Sequence, residues 1–114
     1  MDIDMNGNFI PVSSVNFAKA LADDTRQKIM SLCCCNWCSV GELVEKTGVS
    51  QPTVSHHLAV LKENELVTYR QEGKQTLYTL NQDHFAACCG ILIQSFAPET
   101  DTASRLTEEN PEES

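Results

Sequence analysis

The sequence lacks any apolar run near the roughly 20 residues of a membrane-spanning helix. Its first residues also lack the basic and apolar segments of a secretory signal. Neither a phosphate-binding glycine loop nor a Ser-His-Asp set is recognisable, and no internal repeat is present. These absences predict a cytoplasmic protein that is not an enzyme. The 114 residues suffice for one domain with tails.

Basic residues are scarce, with 8 Lys and Arg against 16 Asp and Glu, which gives a formal net charge of −8. Such an acidic balance would argue against nucleic-acid binding. The acidic residues are unevenly distributed, however, and cluster in the first four residues and from Glu99 onward. The nearly neutral middle of the chain therefore leaves DNA binding open.

Helical spacing, caps and turn residues divide the chain into three parts. We predict an N-terminal tail at residues 1–12, one folded domain at 13–97 and an acidic, disordered tail at 98–114. The predicted helices end near residues 21, 33, 48, 61 and 97, and each begins after a polar cap at Ser13–Ser14, Asp23–Asp24, Ser39, Ser50 or Asn81.

A helix-turn-helix pattern occupies residues 39–61. Ser39 and Glu42 have the spacing of a capping box, and the turn Thr47-Gly48-Val49 contains the glycine that such a motif uses. Two β-rich segments follow, at residues 66–70 and 75–80, and are separated by a turn at 71–74. The order predicts a mainly α winged helix-turn-helix with a β-hairpin wing.

The second helix of this motif has the composition of a DNA-reading helix. Val54, Leu58 and Leu61 form its apolar stripe, and no acidic residue lies between Lys46 and Lys62. Short polar side chains can read base edges, whereas a carboxylate would be repelled by phosphates. The predicted DNA-binding residues are Gln51, Thr53, Ser55, His56, His57 at the edge of the face, Lys62, and Arg70 and Lys74 on the wing.

The sequence resembles the ArsR/SmtB family of bacterial metal-responsive repressors over residues 15–97. The resemblance is carried by Ala20–Arg26, Ser39–Leu43, Val49–Leu58, Gly73-Lys74 and Tyr78–Leu80. It implies a homodimer built on the first and last helices, which binds operator DNA of two-fold symmetry. It also implies repression that a ligand relieves.

The last helix supports a dimer independently. One continuous apolar stripe at three- and four-residue spacing comprises Phe85, Cys88, Cys89, Leu92, Ile93 and Phe96. In so small a chain, a partner subunit is the surface best suited to cover it.

The family's known metal sites do not match. Its zinc-binding histidine positions on the last helix are Phe85 and Phe96 here, and its Cys-Val-Cys motif is replaced by Ser39-Val40-Gly41. The cysteines lie elsewhere, at Cys33, Cys34, Cys35 and Cys38, and at Cys88 and Cys89.

Thiolates are soft ligands and favour trivalent arsenic or antimony, cadmium, lead or mercury. Cys35 and Cys38 could chelate with two sulfurs, with Cys34 as a third, whereas Cys33 continues the apolar face of its helix. Cys88 and Cys89 are either small hydrophobic residues at the dimer interface or further ligands. The predicted metal ligands are Cys34, Cys35, Cys38, Cys88 and Cys89.

The sequence therefore predicts a repressor released from its operator by a thiophilic metal or metalloid, most readily trivalent arsenic or antimony. One alternative is a redox or reactive-sulfur sensor that links Cys33–Cys38 to Cys88–Cys89. Another is thiol-disulfide exchange at Cys35-Asn36-Trp37-Cys38, although no predicted strand precedes that motif. A third is a winged helix that contacts only proteins.

Overall fold

A computed structural model describes residues 14–108 as helices around a small antiparallel sheet of strand order β1-β3-β2. The helices are α1 (Ser14–Leu21), α2 (Asp24–Leu32), α3 (Val40–Thr47), α4 (Gln51–Glu63), α5 (Gln82–Phe96) and α6 (Asp101–Glu108). The strands are β1 (Cys38–Ser39), β2 (Val67–Glu72) and β3 (Gln75–Leu80). This is the predicted winged helix-turn-helix, with β1 and α6 as additions.

The helix-turn-helix is set by local side-chain chemistry, as predicted. Ser39 Oγ accepts a hydrogen bond from Glu42 N at 3.1 Å, and Glu42 Oε1 accepts one from Ser39 N at 2.8 Å, which completes the capping box. Gly48 ends α3 with a φ of 77°, a conformation that glycine adopts without strain. Ser50 caps α4, and Pro52 lies in its first turn.

The C-terminal end of α4 closes with a Schellman motif that the sequence did not reveal. Glu65 N donates to Lys62 O at 2.9 Å, and Leu66 N donates to Leu61 O at 2.8 Å. Glu65 occupies the left-handed position with a φ of 60°, where glycine is the usual residue. Leu61 and Leu66 are both fully buried in the same apolar cluster, and their burial offsets the backbone strain.

One apolar core holds α4 in place. Val54, Leu58 and Leu61 of α4 are buried, as predicted, together with Ile29 of α2 and Leu43 of α3. Because this stripe is locked into the core, the opposite face of α4 is fixed toward solvent.

Strand β1 was not expected. Cys38 pairs with Tyr78 and Ser39 with Leu77, on the edge of β3 that β2 leaves free. A two-residue strand is too short to show the alternation by which strands are recognised in a sequence. It brings the cysteine-rich connection against the base of the wing.

The prediction of a disordered tail over residues 98–114 is wrong for α6. Thr100 Oγ1 accepts a hydrogen bond from Ala103 N at 3.2 Å, and Ala103 is only 2 % exposed. Gln94 Nε2 of α5 donates to Ala103 O at 3.4 Å. The cap, the bond from Gln94 and the burial of Ala103 accompany a helix where composition alone predicted none. The predicted tail at 1–12 and the last six residues lie outside the described residues.

Candidate DNA-binding surface and thiol site

The exposed face of α4 carries most of the predicted base-reading residues. Gln51, Thr53, Ser55 and His56 are all exposed, and the first turn of the helix has no acidic residue. The partial positive charge of the helix N-terminus is therefore uncancelled within that turn, which favours a phosphate.

His57 is a correction to the predicted DNA-binding residues, because it is buried and only 8 % exposed. It lies three residues after Val54 and four before Leu61, so it continues the buried stripe of α4. Its Nδ1 lies 3.0 Å from an Arg26 terminal nitrogen, and its Nε2 lies 3.8 Å from Asp23 Oδ1. Since arginine can only donate, Nδ1 must accept, and the ring is neutral with its proton on Nε2.

Arg26 connects three elements and was not singled out from the sequence. Its Nε donates to Ala20 O at 2.7 Å, and a terminal nitrogen donates to Lys19 O at 3.2 Å. With its bond to His57, it joins the end of α1 to α4. The sequence did contain an indication that Arg26 matters, because Arg26 lies in the segment Ala20–Arg26, which carries the family resemblance.

We expect acidification to destabilise the protein through His57. Burial lowers the pKa of His57 below its ordinary 6.5; the Asp23 carboxylate opposes this shift, and the neighbouring Arg26 and His56 side chains add to it. The unfolded chain therefore binds the proton more tightly. The free energy of unfolding should be highest above pH 6.5 and fall as the pH drops through that value toward the lower folded-state pKa.

Urea denaturation at several pH values between about 5 and 8 tests this, because that range spans the titration of histidine. His57→Gln, whose amide oxygen can still accept from Arg26, should flatten the dependence. His56→Gln is the matched control on the exposed face and should retain it. A wild-type pH dependence in His57→Gln would contradict the assignment.

The remaining predicted DNA-binding residues lie at the end of α4 and on the wing. Lys62 Nζ lies 4.1 Å from the centroid of the Tyr69 ring, which connects the end of α4 to β2. The Arg70 guanidinium carbon lies 4.3 Å from the centroid of the Trp37 ring, and an Arg70 terminal nitrogen is 2.7 Å from Glu72 Oε2. Lys74 is exposed in the hairpin turn. All three basic side chains reach solvent.

The predicted thiol ligands fall into distinct environments. Cys34 and Cys35 are at the surface with their Sγ atoms 3.1 Å apart. Cys38 is buried, and its Sγ lies 3.6 Å from Leu32 O and 3.5 Å from Asn36 Nδ2. The pair that the structure brings together is thus Cys34–Cys35, rather than the Cys35–Cys38 chelate expected from spacing. Cys33 is fully buried, as predicted.

The second cysteine group lies on α5, where Cys88 is buried and Cys89 half-buried. Within residues 14–108, no three His, Cys, Asp or Glu side chains are arranged to hold a metal ion. A single described chain therefore does not assemble the five predicted thiols into one site.

Most of these thiols are held in the protonated form at neutral pH. Burial, with the nearby Cys38 and Cys34, raises the pKa of Cys33 to about 12. The contact with Cys35 is the main cause that raises the pKa of Cys34. Burial raises the pKa of Cys88 and of Cys89. A soft ion binding at Cys34 must therefore displace a proton, so its affinity should increase with pH.

The cysteine segment, residues 33–38, is hydrogen-bonded to the base of the wing. Cys33 O accepts bonds from Leu80 N at 2.9 Å and Thr79 Oγ1 at 3.1 Å. Gln82 Nε2 at the start of α5 donates to Cys34 O at 2.6 Å. The cysteine segment is thus hydrogen-bonded directly to both the wing and α5.

Comparison with known proteins identifies this architecture. The family model described as "Bacterial regulatory protein, arsR family" matches residues 23–69. The transcriptional activator HlyU of Vibrio cholerae is 35 % identical, over 69 % of this chain and 73 % of its own length. The chain belongs to the ArsR family. This ArsR-family chain is also 42 % identical to the arsenical resistance operon repressor of Staphylococcus xylosus, over 57 % of the chain and 62 % of that protein.

Solved structures agree with the fold. Reduced HlyU from Vibrio cholerae aligns with a TM-score of 0.59 and 33 % identity, covering 74 % of this chain and 88 % of that one. A homodimeric winged helix-turn-helix DNA-binding domain from Mycobacterium bovis aligns with a TM-score of 0.60 and 27 % identity, covering 71 % and 76 %. The two relatives named above are described as an operon repressor and a transcriptional activator. Within residues 14–108, no helix is long and apolar enough to cross a membrane.

Proposed function

We propose that this chain is a homodimeric transcriptional repressor whose operator affinity falls when Cys34 and Cys35 bind trivalent arsenic or antimony. The observation that carries the proposal is a pair of touching surface thiols on a segment hydrogen-bonded to the wing. The kinship with an arsenical resistance operon repressor supports it.

Two exposed surfaces, the polar face of α4 and the wing, support DNA binding, and Lys62 at the end of α4 contacts Tyr69 of the wing. The polar face of α4 suits the major groove, and Arg70 and Lys74 are exposed on the wing, where we expect them to contact the backbone of the duplex. We expect two such surfaces in a dimer to bind an operator with two-fold symmetry.

The apolar side of α5 supports a dimer. Phe96 is 80 % exposed and Val15 of α1 is 61 % exposed, while Ile91, Leu92 and Ile93 are half-buried. A soluble chain leaves few such side chains in water, and a second copy meeting through α1 and α5 would cover them.

The effector chemistry follows from the sulfur pair. Trivalent arsenic and antimony are thiophilic, and both thiols of a touching pair can bond to one such atom. Cys38 would have to turn away from Leu32 O to become a third ligand. We expect Cys88 and Cys89 to serve as packing residues unless dimer formation brings them to the site.

Redox sensing is a second candidate because two thiols 3.1 Å apart can be oxidised to a disulfide, and the relative HlyU has been solved in a form described as reduced. Oxidant-sensing cysteines normally have lowered pKa values, whereas the pKa of Cys34, Cys33, Cys88 and Cys89 is raised. A thiol count before and after mild oxidant, with operator binding measured in parallel, separates the two candidates.

DNA binding can be measured with a labelled operator duplex selected from random sequence. We expect His56→Ala to weaken specific binding about tenfold, the value of one base contact, while non-specific binding is unchanged. Thr102→Ala on α6 is a control and should bind as the wild type does. Equal binding of random and selected duplexes by the wild type would argue for a winged helix used for protein contacts.

A further inference from the structure

The single tryptophan of the chain, Trp37, lies inside the cysteine segment and against the wing. The Arg70 guanidinium carbon sits 4.3 Å above the centroid of its half-buried ring. This is a cation–π contact between the residue next to Cys38 and a basic residue of β2. Neither DNA reading nor metal binding by itself requires an aromatic ring at this place.

Both ends of the cysteine segment are anchored, and Trp37 lies between the anchors. Cys33 O is bonded to β3 through Leu80 N and Thr79 Oγ1, and Cys38 pairs with Tyr78. Within that span, Asn36 Nδ2 donates to Leu32 O at 2.9 Å. Because the ends are fixed, a change of torsion angles at Cys34 and Cys35 must be taken up by Asn36 and Trp37.

The stack leaves the edge of the Arg70 guanidinium free for hydrogen bonds. A guanidinium can lie on an aromatic face and still donate in its own plane. One terminal nitrogen donates to Glu72 Oε2 at 2.7 Å, and both side chains are about half-exposed, so a phosphate can replace the carboxylate. The indole thus fixes the direction in which Arg70 presents its donors.

We propose that Trp37 is a positioning residue: it holds Arg70 toward the DNA backbone, and effector binding at Cys34 and Cys35 releases Arg70 by moving the indole. The second half rests on the proposed function; the first half requires only DNA binding. In the effector step, an arsenic hydroxide exchanges two hydroxyl groups for the two sulfurs, and the two thiol protons leave with them as water. No oxidant or reductant is needed.

A double-mutant cycle on operator binding, without effector, tests the positioning role. Trp37→Leu should weaken binding about two- to five-fold, the value of one exposed cation–π contact. Arg70→Gln, which loses the phosphate contact itself, should weaken binding at least as much, and the double variant should be no weaker than Arg70→Gln. Arg70→Gln should reduce the slope of log affinity against log salt by about 0.9, the value for one phosphate contact. Trp37→Leu should reduce it as well, which a merely structural role would not do.

Trp37→Phe keeps an aromatic face and should restore most of the affinity and slope. Additive effects in the cycle, or an unchanged salt slope in Trp37→Leu, would overturn the positioning role. If Trp37→Leu does not fold, a second double-mutant cycle with Trp37→Phe and Arg70→Gln tests the positioning role instead. Because the phenylalanine ring is a weaker partner for the guanidinium, the coupling energy in that cycle should be smaller but of the same sign.

Fluorescence of the lone tryptophan tests the effector half. Sodium arsenite should change the emission of the reduced wild type, and the change should be smaller in Arg70→Gln because the stack is already lost. An emission change of equal size in both proteins would overturn the release of Arg70. If arsenite did not change DNA binding but the effects of the Trp37 and Arg70 substitutions were still non-additive, the proposed effector would be refuted. The positioning role of Trp37 would stand.

Discussion

Replacing Cys34 and Cys35 together with serine should abolish the arsenite response and leave operator binding intact. The two Sγ atoms are 3.1 Å apart at the surface, so serine fits without disturbing the core but removes the soft ligands. An effector typically changes affinity by about 5- to 150-fold, and we expect that whole factor to vanish. Fluorescence anisotropy of the labelled operator duplex, with and without sodium arsenite under reducing conditions, measures it.

Two matched double variants locate the ligands. Cys35→Ser with Cys38→Ser tests the chelate that sequence spacing predicts; by the structure it removes one of the touching thiols and should also lose the response. Cys34→Ser alone then separates the two assignments, since only the Cys34–Cys35 pair requires it. Cys88→Ser with Cys89→Ser should release DNA as the wild type does. A normal arsenite response in the Cys34 and Cys35 double variant would refute the site.

The fold was predictable where a short stretch of sequence decides the structure by itself. The capping box at Ser39, the left-handed Gly48 and the cap at Ser50 each depend on residues within three positions. Strand β1 depends instead on Tyr78, forty residues away from Cys38. Helix α6 depends on docking of Ala103 against α5. Pairing and docking over such separations leave little trace in local periodicity.

The site was predictable in composition but not in its contacts. Sequence pattern identified the exposed polar face of α4 and the cysteine-rich connection. It placed His57 at the edge of that face because histidine is polar, although the stripe at positions 54, 57, 58 and 61 has the spacing of a buried face. Trp37 over Arg70 joins residues 33 positions apart, and no spacing rule relates a loop tryptophan to a wing arginine.

Arg26→Ala should be among the most destabilising single substitutions in the domain. It removes three contacts of a charged donor, to Ala20 O, Lys19 O and His57 Nδ1, and leaves a half-buried carbonyl and a buried ring nitrogen without partners. Hydrogen bonds to charged groups are worth about 1.5–3 kcal/mol each, with incomplete additivity. We therefore expect a loss of about 3 kcal/mol in the free energy of unfolding, measured by urea denaturation at one fixed protein concentration.

The controls distinguish this network from loss of a positive charge. Arg105→Ala removes an exposed arginine from α6 and should change stability by less than about 0.5 kcal/mol, as surface substitutions do. Arg26→Lys keeps the charge but cannot donate in three directions, so it should fall between alanine and wild type. Since the Arg26 charge helps to lower the pKa of His57, Arg26→Ala should also weaken the loss of stability at acidic pH. If Arg26→Ala were as stable as Arg105→Ala, α1 would not be joined to α4 through this side chain.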